Sequence, residues 1–226
     1  MAQSSLVDCT VSPNNKYSQG REGLTVSKIT VHYQAGHGEP EDVSACWASP
    51  DREASSNYII GPTGRVGICV PEEDRSWCTG SPWNDNRAIT IEVSSEPDYS
   101  DQGGSTGVMD SAAYNKCIQL CADICQRYGF KLYYTGDKSG TLTTHRMFQA
   151  TSCPGKWFME RINDFCNSVN ALVDGGVFTP DDYDDSWQED EANAVYDYYL
   201  ITGTSKQSQP GECGNKITSS VYLGRW

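Results

Sequence analysis

Residues 28–33 read KITVHY, and residues 88–93 read AITIEV. Both alternate with a period of two, the signature of a strand with one buried face. In the first, Ile29, Val31 and Tyr33 point one way, and Thr30 and His32 the other. In the second, Ile89, Ile91 and Val93 oppose Thr90 and Glu92. Each strand therefore carries one chemically active side chain, His32 or Glu92, on its polar side near its C-terminal end.

Between these strands lies NYIIGPTGRVGICV, residues 57–70. Two apolar runs flank Gly-Pro-Thr-Gly, and Pro62 presets φ for the first central turn position, which predicts a hairpin. Residues 34–54 are polar, with Gly36, Gly38 and Pro40, and read as a loop with a short helix around Val43 to Ala48.

Further on, Tyr114, Cys117, Ile118, Cys121, Ile124, Cys125 and Tyr128 follow helical spacing. Asp110 or Ser111 caps the start, and Gly129 suits a left-handed stop. A short strand is expected near Lys131–Tyr134. A second helix is expected from Pro154, with Trp157, Phe158, Ile162, Phe165, Cys166 and Leu172 as its apolar stripe and Gly175 and Gly176 at its end. Strand, hairpin, strand, helix, short strand and helix predict an α/β protein with a central mixed β-sheet flanked by helices.

The composition shifts after about residue 176. Residues 177–191 read as an acidic linker. Residues 192–226 read as a short C-terminal extension or partial module, in which Ala192 to Ile201 has the pattern of a short amphipathic helix. From 181 to 226 there are nine acidic and three basic residues, and so short a segment buries no core of its own. Residues 1–176 form the expected main domain.

The formal net charge of the 226-residue chain is −13. That argues against nucleic acid, whose binding rests on Lys and Arg contacts to phosphate. It argues equally against an anionic membrane surface. No run approaches the roughly 20 apolar residues of a membrane span. The opening MAQSSLVDCTVSP lacks a basic segment followed by an apolar one, so synthesis without a signal peptide is expected. The ten cysteines contain no CxxC pair, which disfavours a four-cysteine zinc finger. Cys117, Cys121 and Cys125 share one helical face and read as buried small hydrophobes.

The chain has three histidines: His32, His37 and His145. His145 lies in TTHRMFQATSCPGKW, eight residues before Cys153. Imidazole and thiolate are both good zinc ligands, and three protein ligands with one open position make a catalytic rather than a structural site. A helix starting beside Cys153 favours the thiolate. Spacing alone also fits a core histidine beside a buried cysteine.

Four blocks in order, VHYQAG, SSNYIIGPTGRV, NRAITIEV and THRMFQATSCPGKW, resemble the type 2 N-acetylmuramoyl-L-alanine amidases. That family includes phage endolysin amidase domains and is related to the animal peptidoglycan recognition proteins. The resemblance spans roughly residues 25–172, and its most specific part is the final His…Thr-x-Cys-Pro-Gly.

The resemblance implies the amidase fold and a Zn²⁺ held by His32, His145 and Cys153. The zinc polarises the scissile carbonyl and activates water. Glu92 is the implied general base and later the acid toward the leaving amine, and Thr151 an oxyanion donor. Thr151 equally suits a turn or cap. The implied substrate is bacterial peptidoglycan, cut between N-acetylmuramic acid and L-alanine. The implied role is cell-wall lysis as a phage endolysin, released through a separate pore protein.

Where some relatives carry Tyr-His before the hairpin, this chain has Ser56-Asn57, which strengthens the Glu92 version. Tyr58, one position on, should face the other way. His37, Trp83 and Asn86 are candidate groove residues. Two alternatives stand beside the amidase. One is a non-catalytic peptidoglycan-binding module, against which the retained Cys153 speaks. The other is a cysteine peptidase using Cys153 and His145.

Overall fold

The computed structural model describes residues 3–176. The expected acidic linker, the C-terminal extension and its helix at Ala192–Ile201 lie outside the described residues. The elements are β1 Cys9–Thr10, β2 Tyr17–Ser18, β3 Lys28–Tyr33, α1 Pro40–Trp47, β4 Tyr58–Ile60, β5 Val66–Ile68, β6 Arg75–Ser76, α2 Pro82–Asp85, β7 Ala88–Val93, α3 Ser111–Tyr128, β8 Leu142–Thr144 and α4 Lys156–Val173. A 3₁₀ turn, His145–Met147, follows β8 directly.

Six strands form one sheet in the order β1-β5-β4-β7-β3-β8. The β4–β5 pair is antiparallel and the other pairs are parallel, so the sheet is mixed. The β4–β5 hairpin turns through Gly61–Gly64. The Gly64 N–H donates to Gly61 O, and Gly64 takes a left-handed φ of 80°. β2 and β6 make a separate two-stranded ribbon.

The apolar face of the sheet follows the alternation. Ile29, Val31, Ile89, Ile91 and Val93 are fully buried, in one core with the stripes of α3 and α4. The Tyr114 ring meets Trp157 edge-on at 5.1 Å, and Phe158 meets Phe165 at 5.1 Å. Such edge-to-face pairs contribute roughly 0.5–1.5 kcal/mol beyond area burial. Cys117, Cys121 and Cys125 line this core as expected. Val169 completes the α4 stripe, whereas Leu172 is only partly buried at its edge.

Three local expectations change. The strands β3 and β7 are buried on both faces, as strands inside a largely parallel sheet are. Their polar side is covered by the segment from β6 through α2. There the Asn84 amide donates to Thr30 Oγ1 at 2.9 Å and accepts from Thr143 Oγ1 at 3.0 Å, while Ser76 and Thr90 share a hydroxyl bond of 2.7 Å. The last strand is Leu142–Thr144, because residues 131–134 spend their amides elsewhere. The Leu132 N–H donates to Asn170 Oδ1 and the Tyr133 N–H to Thr141 Oγ1. Finally, α4 begins at Lys156 and not at Pro154. The Cys153–Pro154 peptide is cis, and Gly155 stands outside the helix at φ 90°.

Candidate metal centre

β3 lies between β7 and β8, and this order assembles the site. Register pairs His32 with Glu92 across β3 and β7, so both side chains leave the sheet on the same side. On the other flank Val31 pairs with Thr144, the residue before His145. Cys153 arrives from the loop that precedes α4.

Arg146 fixes that loop by donating to the carbonyls of Cys153, at 3.3 Å, and of Ser152. Tyr33 shares a 2.7 Å hydrogen bond with the Ser152 hydroxyl. At Gly155 a side chain would meet the carbonyl oxygens of Thr106 and Gly107 at 3.3 Å. The turn therefore requires glycine on grounds of both φ and space.

The ligand atoms of His32, His145 and Cys153 all lie within 4.8 Å of one another. His32 Nδ1 is 3.4 Å from Cys153 Sγ, and the two imidazole rings are 4.8 Å apart. A tetrahedral zinc, with bonds of about 2.0–2.1 Å to nitrogen and 2.3 Å to sulfur, spaces such an N–S pair about 3.5 Å apart. The donor set and its spacing therefore fit zinc. His32 is 1% exposed and Cys153 not at all.

Glu92 Oε1 stands 4.0 Å from His32 Nδ1. The Glu92 side chain is 12% exposed, and burial pushes its pKa up to about 8. Burial, reinforced by the neighbouring His145, holds His32 well below the usual imidazole range. Burial pushes His145 down to about 4. Both rings are thus neutral at pH 7, the form in which imidazole ligates metal. Burial first and the Glu92 carboxylate second raise the Cys153 thiol well above its ordinary value.

Thr151 stands two residues from Cys153, and its Oγ1 accepts the Cys153 N–H at 3.2 Å. This is a turn contact that leaves the hydroxyl proton free to donate. Asn86 is buried at the end of α2. Trp83 is 45% exposed, with Arg87 over its ring at 4.8 Å and Lys28 at 5.7 Å. His37 bridges two carboxylates, Asp110 and Glu96, each at 3.0 Å. Those hydrogen bonds push it up to about 10, so the ring is a cation across neutral pH. Tyr58 is buried on the apolar face and donates to Glu72 at 2.5 Å, away from the site.

One neighbour was not anticipated from the sequence. Cys78, a half-buried free thiol, stands 4.0 Å from Glu92 Oε1. His32, Cys78 and Glu92 form a second group whose ligand atoms lie within 4.8 Å of one another. The β6–α2 loop that supplies Cys78 carries no periodic pattern. Only the fold brings it over β7.

These elements define a class: an α/β protein with a buried His-His-Cys constellation and an adjacent carboxylate at the C-terminal ends of parallel strands. The chain belongs to the N-acetylmuramoyl-L-alanine amidase family, whose model matches residues 22–156. No curated protein sequence matches the chain directly.

Among solved structures, the chain resembles the Staphylococcus aureus hydrolase AmiA in complex with its ligand. The TM-score is 0.56 at 18% identity, covering 80% of this chain and 89% of that one. It also resembles the PlyG catalytic domain, with TM-score 0.54, 19% identity, and 80% and 99% covered. A third is an AmpD derivative, with TM-score 0.51, 18% identity, and 73% and 99% covered. At these identities the likeness is one of fold. Among the described residues no helix is long and apolar enough to cross a membrane.

Proposed function

We propose that this chain is a zinc-dependent N-acetylmuramoyl-L-alanine amidase that hydrolyses the amide between N-acetylmuramic acid and L-alanine in bacterial peptidoglycan. The observation that carries the reading is the convergence of His32, His145 and Cys153 within 4.8 Å, with Glu92 beside them. Family membership supplies the substrate class.

His32, His145 and Cys153 would hold the metal. When bound, zinc supplies Lewis acidity toward a carbonyl oxygen and lowers the pKa of water it holds to about 7. Glu92, largely shielded from solvent, takes the proton from the attacking water and returns it to the L-alanine amine as that amine leaves. A carboxylate with a raised pKa suits both transfers near neutral pH. Thr151 donates its hydroxyl to the oxyanion while accepting the Cys153 N–H, so one side chain both braces the loop and stabilises charge.

His37, Trp83 and Asn86 are proposed along the groove. Of these, Trp83 and His37 present surface to a wall fragment. The proposed organisation is a catalytic unit of residues 1–176, an acidic linker of 177–191 and an extension of 192–226. The proposed role is lytic, that of a phage endolysin.

The peptidase alternative needs an accessible sulfur nucleophile. The complete burial of Cys153 and its 3.4 Å approach to His32 speak against it. A non-catalytic binder would have no use for Glu92 beside the donors. Mass spectrometry of purified peptidoglycan digested by the zinc-loaded protein tests the proposal. Stem peptides with a free L-alanine amine, and glycans ending in intact lactyl groups, are expected. Fragments cut within the stem peptide or the glycan would overturn it.

A further inference from the structure

Glu92 faces two further donors. His32 and Cys78 each stand 4.0 Å from Glu92 Oε1, and the ligand atoms of all three lie within 4.8 Å of one another. Cys78 is held in place. Its N–H donates to Asp85 Oδ2 at 3.3 Å, and the adjoining Thr79 gives Asp85 its N–H at 3.1 Å and its hydroxyl at 2.7 Å. Asp85 is itself buried on α2. The thiol is therefore presented toward Glu92 by a clamped loop.

We infer that Cys78 and Glu92 form a second, inhibitory binding site for a thiophilic divalent cation such as Zn²⁺ or Cd²⁺. It lies beside the centre proposed at His32, His145 and Cys153 and rests on that reading. A cation bonded to sulfur at about 2.3 Å and to oxygen at about 2.0–2.2 Å spaces a tetrahedral pair about 3.5 Å apart. The 4.0 Å separation between Cys78 Sγ and Glu92 Oε1 therefore closes with a small side-chain rotation.

Binding replaces the thiol proton, which passes to solvent, with a metal–sulfur bond. It also converts Glu92 from a proton carrier into a ligand. His32 limits the arrangement. It belongs to both triads of donors, and once it serves the first ion, the second completes its coordination with solvent. The site thus affects catalysis by removing the base and leaves the first centre intact.

The test titrates the metal-free full-length protein with Co²⁺, and in parallel with Zn²⁺, through one and then two equivalents. It reads bound metal by mass spectrometry, the thiolate–Co²⁺ charge-transfer band, and hydrolysis of purified peptidoglycan. The wild type is expected to bind a second equivalent, with an added thiolate band. Its activity is expected to fall by about 10²-fold or more from the one-equivalent level, the contribution of a general base.

Cys78→Ser and Cys78→Ala should bind one equivalent, keep the one-equivalent activity and escape the inhibition. A wild type that stops at one equivalent would overturn the inference. So would a second equivalent that persists in both Cys78 variants, or one that binds through Cys78 without reducing activity. Absence of hydrolysis at one equivalent would instead count against the amidase reading, while metal content and the Cys78-dependent band still decide whether the second site exists.

Discussion

His32 on β3 and Glu92 on β7 are register partners in adjacent parallel strands, with Nδ1 and Oε1 4.0 Å apart. The strands therefore set the distance from the first proposed metal donor to the proposed base, and no flexible loop intervenes. Sites carried on regular elements hold such distances more tightly than sites on loops. Glu92→Gln keeps the shape and removes the proton carrier. It is expected to bind one equivalent of zinc and keep the wild-type melting temperature, while kcat falls by about 10²–10⁴-fold. Turnover assays with parallel metal analysis check this, and a variant that retains activity would remove Glu92 from the mechanism.

Thr151 offers a separable test. Its Oγ1 accepts the Cys153 N–H, and its proton is assigned to the oxyanion. Thr151→Val should lower kcat by about 10²–10³-fold, the scale of one lost oxyanion donor. Thr151→Ser, which keeps the hydroxyl, should restore most of it. If serine and valine lose activity equally, the residue only braces the turn.

Next to the candidate metal centre, Asn84 ties Thr30 to Thr143 across β3 and β8. All three are fully buried. Asn84→Ala removes both of these bonds and leaves the Thr30 and Thr143 hydroxyls with their mutual 2.8 Å contact, at a cost of about 0.5–1.5 kcal/mol for each hydrogen bond lost. Chemical denaturation should show that loss. An unchanged midpoint would mean that water replaces the amide.

His37 predicts a pH signature of its own. Its pKa, raised to about 10 by Asp110 and Glu96, means that its stabilising contribution is full below the unfolded value near 6.5. That contribution is lost as pH rises through about 10. The side chain is 46% exposed, so solvent screening limits the effect to less than about 1 kcal/mol. NMR titration of the His37 ring should show a protonated imidazolium at pH 8. A midpoint near 6.5 would contradict the bridged geometry.

Much of the architecture was legible because burial imposes periodicity. The alternation in KITVHY and AITIEV, the hairpin turn and the α3 stripe follow directly from side-chain patterning. The same alternation misled in one respect. Thr30, His32, Thr90 and Glu92 read as an open polar face, but the β6–α2 segment covers them, and no local pattern signals a covering loop. Lys131–Tyr134 had strand-like residues, yet its amides bond to Asn170 and Thr141, partners set by tertiary packing. The three candidate metal donors were suggested by residue type and motif. Cys78 was invisible because its role depends on a contact fourteen residues away across the sheet face.

The most direct measurement is anomalous diffraction at the zinc edge from crystals of the protein grown with one equivalent of zinc. A single peak is expected at bonding distance from His32 Nδ1, a His145 ring nitrogen and Cys153 Sγ, about 2.0–2.3 Å, with its fourth position taken by solvent. A peak elsewhere in the molecule, or a fourth protein side chain closing the coordination sphere, would contradict the account.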